Sequence, residues 1–162
     1  MAAGGVVSHS SQKRHWSRDN ELEACTQLIS ESTRTQFALL RHWRHSEPVD
    51  WAAWNEALDL ISLVAASEVV SAASRIDHEL WLLSASIIEG NITDVESWNG
   101  QRQQLEEARL EFVNTVRSKV VDVRSHLDRS PVARPAHLPD SFTQYRRTSP
   151  ALGEGADDTA LS

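Results

Sequence analysis

The sequence predicts an all-α protein, an elongated up-and-down antiparallel helical bundle of three long arms or four helices, with disordered termini. Three observations carry that expectation. Between Ser67 and Gly90, the residues Val69, Ala73, Ile76, Leu80, Leu83 and Ile87 recur at alternating steps of four and three, which draws one apolar stripe along a helix. Stretches before and after it carry stripes of the same period. The connections around Pro48 and Asn91 are short, and short connections make neighbouring helices antiparallel.

Residues 1–15 are rich in Gly and Ser without periodicity and read as a disordered leader. A first helix is expected from near Ser17 or Asp19 to about His45, marked by Leu22, Cys25, Ile29, Phe37, Leu40 and Trp43. Its acidic start (Asp19, Glu21, Glu23) and basic end (Arg41, His42, Arg44, His45) complement the helix dipole. Ser32, Thr33, Thr35 and Gln36 interrupt its stripe. Pro48 breaks the pattern, and Asp50 is placed to cap a second helix carrying Trp54, Leu58 and Ile61.

Continued from Ile61 at heptad steps, that stripe would reach positions 65, 68, 72 and 75. The residues that follow occupy 69, 73 and 76 instead, one position later. A kink or break is therefore expected at Ser67, itself a capping residue. The helix it starts, about 23 residues and roughly 35 Å long, organises the chain, since such a stripe needs other helices to cover it. Gly90 sits where its end needs a positive φ. Thr93 and Glu96 match a capping box for a last helix. The stripe there runs Val95, Trp98, Leu105, Ala108, Phe112, Val116, Val120, Val123 and Leu127, with Gly100 a weak point that suggests a firm start only at Gln101. The bundle domain thus spans 16–128. Residues 129–162, which hold Pro131, Pro135, Pro139 and Pro150, read as a disordered tail.

The 162 residues suffice for one domain. The formal charge of −7 arises entirely in residues 51–100, which hold eight acidic side chains and one basic. An acidic balance of this kind argues against nucleic acid as a partner. Cys25 is the lone cysteine, so neither a disulfide framework nor a Cys-type metal site can be assembled. The most apolar run, Leu58 to Val70, is interrupted by Asp59 and Glu68 and falls short of the ~20 apolar residues of an integral membrane segment. Without a signal-like leader in Met1 to Val7, a cytoplasmic location is the expectation.

No catalytic, cofactor-binding or metal-binding constellation is legible. His42 and His45 share a helix face, but zinc takes three or four ligands. No Glu precedes any His by three residues, as di-iron bundles require. The basic run Arg146-Arg147 beside Thr148 and Ser149 reads as solvated tail. Six tryptophans are more informative: Trp16, Trp43, Trp51, Trp54, Trp81 and Trp98 lie mostly near helix ends, where they close a bundle. Trp81 differs. With Leu82 it makes the organising helix apolar beyond its stripe, at an edge that one small bundle cannot cover. A contact centred on Trp81 and Leu82 follows, either a weak antiparallel homodimer or another protein partner. Its rim is expected to pair Asp77, Glu79 and Glu89 with arginines of the last helix, Arg109 among Arg102, Arg117 and Arg124.

The Arg-rich start with Trp16 and Asp19, the run from Ala65 through Ser67-Glu68-Val69-Val70 to Ala73, and the last helix through Leu105 and Phe112 resemble a loose group of uncharacterised all-helical proteins of actinobacteria. The resemblance covers residues 14–127, rests on packing and capping residues, and implies a helical bundle without transferring an active site. Many members of that group begin with a hydrophobic membrane segment, and residues 1–15 hold none. The function expected is a non-catalytic helical interaction or scaffold module, of coiled-coil character and without a cofactor. The alternative is a membrane-peripheral or envelope-associated accessory protein anchored through a partner.

Overall fold

A computed structural model describes residues 7–129, with side chains from Ser17 onward. Among the described residues there are four helices and no strand: α1 (Val7–His45), α2 (Ala52–Val64), α3 (Ser67–Ile88) and α4 (Val95–Lys119). Side-chain pairings fix their directions. The Ala66 N–H donates to Glu21 Oε1 at 3.1 Å, so α2 runs back along α1. Trp54 Nε1 donates to Asp77 Oδ1 at 2.7 Å, so α3 returns along α2. Lys119 meets Glu68 and Arg75 meets Glu111, which lays α4 antiparallel to α3. Trp43 stacks on Trp98 with ring centroids 5.5 Å apart, closing α4 against α1. The result is an up-down-up-down bundle of four helices, the second of the two arrangements the sequence allowed.

The reversal between α2 and α3 explains the slipped stripe. Ala65 and Ala66 are extended, with ψ of 158° and 153°, and the chain turns through them rather than merely kinking. Ala66, not Ser67, is the N-cap of α3, and its carbonyl takes the N–H groups of Val69 and Val70. At the other end Gly90 adopts φ of 76°. Its N–H donates to the Ile87 carbonyl and that of Asn91 to the Ser86 carbonyl, the paired bonds of a Schellman ending. Trp51, not Asp50, is the N-cap of α2; Asp50 stands one residue before it and accepts from the Ala52 N–H at 2.9 Å.

The inner stripe of α3 is the heart of the core. Val69, Ala73, Ile76, Leu80 and Leu83 are buried, and Ala72 and Ser84 join them. Trp54, Ala57 and Ile61 of α2 and Trp98, Leu105, Ala108, Phe112 and Val116 of α4 pack in the same cluster.

Four expectations need correction. First, α1 begins at Val7, inside the stretch taken for a leader; from Gln12 through Arg14 the residues are good helix formers, and no Gly or Pro follows Gly5 before Pro48. Residues 1–6 and the expected tail beyond 129 lie outside the described residues. Second, the α1 stripe holds only in part. Cys25 is buried and Ile29, Leu40 and Trp43 pack against the core as expected, but Ala24, Leu28, Glu31, Ser32, Thr35 and Leu39 complete the inward face and Leu22 and Phe37 are exposed. Third, the α4 cap is Asp94, not Thr93. Asp94 Oδ1 accepts from the Ser97 N–H at 2.8 Å and Ser97 Oγ accepts from the Asp94 N–H at 3.2 Å. Those bonds, which hold the Asp94 carboxyl below its usual range, together with the Trp43–Trp98 stack, carry the helix through Gly100 from Val95.

Fourth, α4 stops at Lys119 rather than reaching Leu127. Asp122 turns to φ of 61°, a conformation that Asp tolerates better than most residues, and the chain doubles back. The Asn114 amide then holds the Leu127 backbone by two bonds, 2.9 and 3.1 Å, and Arg117 reaches Ser125.

Leu83 is fully buried, whereas Leu63 of α2 is 83% exposed. Leu83→Ala should therefore cost about 2–5 kcal/mol, and Leu63→Ala no more than about 0.5 kcal/mol. Urea denaturation of the two variants checks the assignment of faces.

Candidate interaction surface

Two features of the bundle are not accounted for by apolar packing. One is inside it. Arg109, on the inward face of α4, is only 7% exposed. Its Nε donates to Ser32 Oγ at 2.9 Å, and its Nη1 donates to Gln36 Oε1 at 2.5 Å and to Glu106 Oε1 at 3.0 Å. Burial pulls its pKa down and the Glu106 carboxylate pulls it back up; an arginine remains charged under either influence. Two residues of the polar interruption noted in the first helix, Ser32 and Gln36, thus accept from a buried guanidinium. Arg109 was expected on the rim of a surface contact, and the structure corrects this: it sits one residue beyond Ala108 on the same buried arc, and its partners belong to its own bundle.

The other feature is outside. Trp81 is 64% exposed, Leu82 40% and Ile88 74%. With Leu80 at the centre of the buried face, Trp81 points about 100° round the helix from it, as the sequence suggested. Of the acidic rim expected around it, Asp77 precedes Trp81 by one turn on the same side of the helix, half-buried and accepting the Trp54 indole N–H. Glu79 follows by one turn Arg75, whose guanidinium meets Glu111 of α4, and so lies on the opposite flank of α3 from Trp81. Glu89 lies past the last turn, bonded to Asn91. Ser71, Ser74, His78, Trp81, Ala85 and Ile88 remain on the outward face, at steps of three and four. Among them there is no carboxylate, guanidinium or ammonium group. This second seam was legible in the sequence at the same period as the first, but small polar residues in its leading half hid it.

Of the remaining tryptophans, Trp54 and Trp98 are buried and Trp43 and Trp51 half-buried, with Trp43 Nε1 donating to the Ile92 carbonyl at 2.8 Å. The side chain of Trp16 lies outside the described residues. His42 Nδ1 meets the Glu47 carbonyl at 2.6 Å. No group of three His, Cys, Asp or Glu residues is placed to hold a metal ion among the described residues. Cys25 is buried, which with Glu21 nearby pushes its thiol up to about 12 and leaves it unreactive. Between α3 and α4 an open groove is crossed by the Lys119–Glu68 pair, 2.7 Å apart, and edged by His126. Comparison with protein families, curated proteins and solved structures finds no match to this chain.

Two outcomes follow. Glu106→Leu leaves the Arg109 charge inside without its counter-ion. It should cost about 2–4 kcal/mol, somewhat below a fully buried pair because Glu106 keeps contact with solvent. The double replacement Glu106→Leu with Arg109→Met should cost less than the single one, as urea denaturation would show. The second outcome concerns Glu68. The Lys119 hydrogen bond, then its own backbone N–H and the Ser67 hydroxyl, lower its pKa from 4.5 to about 2. A lowered folded-state pKa gives stability that is present above 4.5 and lost as pH falls toward 2. In Lys119→Met, carboxyl NMR should find Glu68 titrating closer to 4.5.

Proposed function

We propose that this protein is a non-catalytic helical interaction module that docks a helix of a protein partner against the outward face of α3, and that it works in the cytoplasm. The observation that carries the reading is Trp81, 64% exposed in the middle of a helix whose opposite face is fully buried. Tryptophan is enriched at the few positions that dominate protein–protein binding, and exposed apolar side chains count when they are contiguous rather than scattered. Trp81, Ala85 and Ile88 are contiguous at helical spacing. The absence of fixed charge from the seam is a second support, because interface centres are depleted of charged groups. Nε and Nη1 of the buried Arg109 are bonded to Ser32, Gln36 and Glu106, which gives that layer a role in holding α1 to α4. No helix of the described residues is long and apolar enough to cross a membrane. The lone thiol of Cys25 suits a reducing compartment.

Trp81→Arg tests the reading. The full chain and this variant, each affinity-tagged, are recovered from the native cell alongside Leu63→Arg, an exposed control on α2. Unchanged helicity is expected for all three. Proteins that co-purify with the parent and the control should be lost from Trp81→Arg. Retention of the whole set by Trp81→Arg would remove α3 as the docking face.

A further inference from the structure

We infer that the occupant of the α3 face is a second copy of this chain, docked antiparallel about a two-fold axis that crosses the helix between His78 and Trp81. This inference rests on the reading of α3 as the docking face and names its partner.

Ser71, Ser74, His78, Trp81, Ala85 and Ile88 follow at steps of three, four, three, four and three. That series reads the same in both directions, so an inverted copy meets it position for position. Self-matching under inversion is what a two-fold interface requires, each contact of residue i with residue j occurring twice. A heptad seam of this length is also what antiparallel helix packing uses.

Bulk is gathered in the C-terminal half of the seam, in Trp81 and Ile88, and the N-terminal half holds Ser71 and Ser74. Inversion sets Ile88 over Ser71 of the second copy, Ala85 over Ser74, and Trp81 over His78. Each large side chain faces a smaller one, as interdigitating layers need. A parallel pair would set Trp81 against Trp81 and Ile88 against Ile88 and leave the serine layers empty.

Residues 51–100 hold the whole negative excess of the chain, so most surfaces of this region would repel a copy of themselves. The six seam positions carry no fixed charge; beside them Asp77 is half-buried against the Trp54 indole and Arg75 is neutralised by Glu111. On the flank shared with Arg75, Leu82 comes within one turn of the aliphatic stem of Arg75 in the second copy. One helix from each side buries an area at the low end of specific interfaces, below about 1,200 Å². The dimer is therefore weak and concentration-dependent.

Cysteine pairs test the geometry directly. In a Cys25→Ser background, one chain carries Ser74→Cys and another Ala85→Cys, and the two are mixed under mild oxidation. A disulfide-linked heterodimer is expected from the mixture and no link from either chain alone, since each position lies roughly 16 Å along the axis from its own copy. Sedimentation of the unaltered full chain from micromolar to millimolar concentration should show a monomer–dimer equilibrium that Trp81→Arg abolishes with helicity unchanged. Linking by Ser74→Cys alone would overturn the antiparallel arrangement. A monomer at every concentration, with no link from the mixture, would overturn the second copy as partner. The docking face itself would then stand or fall on the co-purification pattern, which reads partners of any kind.

Discussion

A guanidinium inside a mostly apolar bundle sets the terms on which α1 and α4 pack. Taking a charge out of water is costly unless an opposite charge and hydrogen-bond acceptors meet it. Arg109 finds its opposite charge one turn away in Glu106, but its other acceptors, Ser32 and Gln36, come from a helix more than seventy residues earlier in the chain. They are within reach at one rotation and one height of α1 only. A slide of one turn, about 5.4 Å, would carry both away and strand the charge. The cost of that error is comparable to deleting a buried leucine, so this layer weighs as heavily in choosing the register as the packing around it.

The consequences run outward from that choice. With Ser32 and Thr35 turned in, Phe37 and Leu22 are turned out, although an apolar count would have placed them inside. With α1 and α4 in register, Trp43 reaches Trp98 and the Ile92 carbonyl and closes one end of the bundle. The short reversal through Ala65 and Ala66, held by Glu21, closes the other. The helix α3 is then enclosed on its inner stripe by the remaining helices and free on the seam that carries Trp81.

The legibility of the sequence follows from the same physics. The inner stripe of α3, the helical ending at Gly90 and the break before Ser67 could all be read, because each rests on local periodicity or backbone conformation. The phase of α1 could be read only in part, through Cys25, Ile29, Leu40 and Trp43. Its inward face is partly polar, and the reason for that lies on another helix. The end of α4 was misplaced because Val123 and Leu127 continue the apolar period while Asp122 reverses the chain, after which Asn114 fastens it. Trp81 and Leu82 were correctly placed at a surface and Arg109 was not, while Asp77 is half-buried; both charged residues make tertiary hydrogen bonds to residues distant in sequence. Of the outward seam only Trp81 was read from the sequence; Ala85, Ile88 and the serine half were overlooked.

The claim on which the rest depends is that Arg109 and the polar face of α1 touch and hold the two helices in register. A double-mutant cycle between Gln36→Ala and Arg109→Met measures that contact in solution. The account predicts non-additive losses of stability, with a coupling of about 0.5–3 kcal/mol, as expected for groups in one hydrogen-bond network. Losses that add to within about 0.3 kcal/mol would mean that the two side chains do not meet, and that α1 packs on α4 in another register.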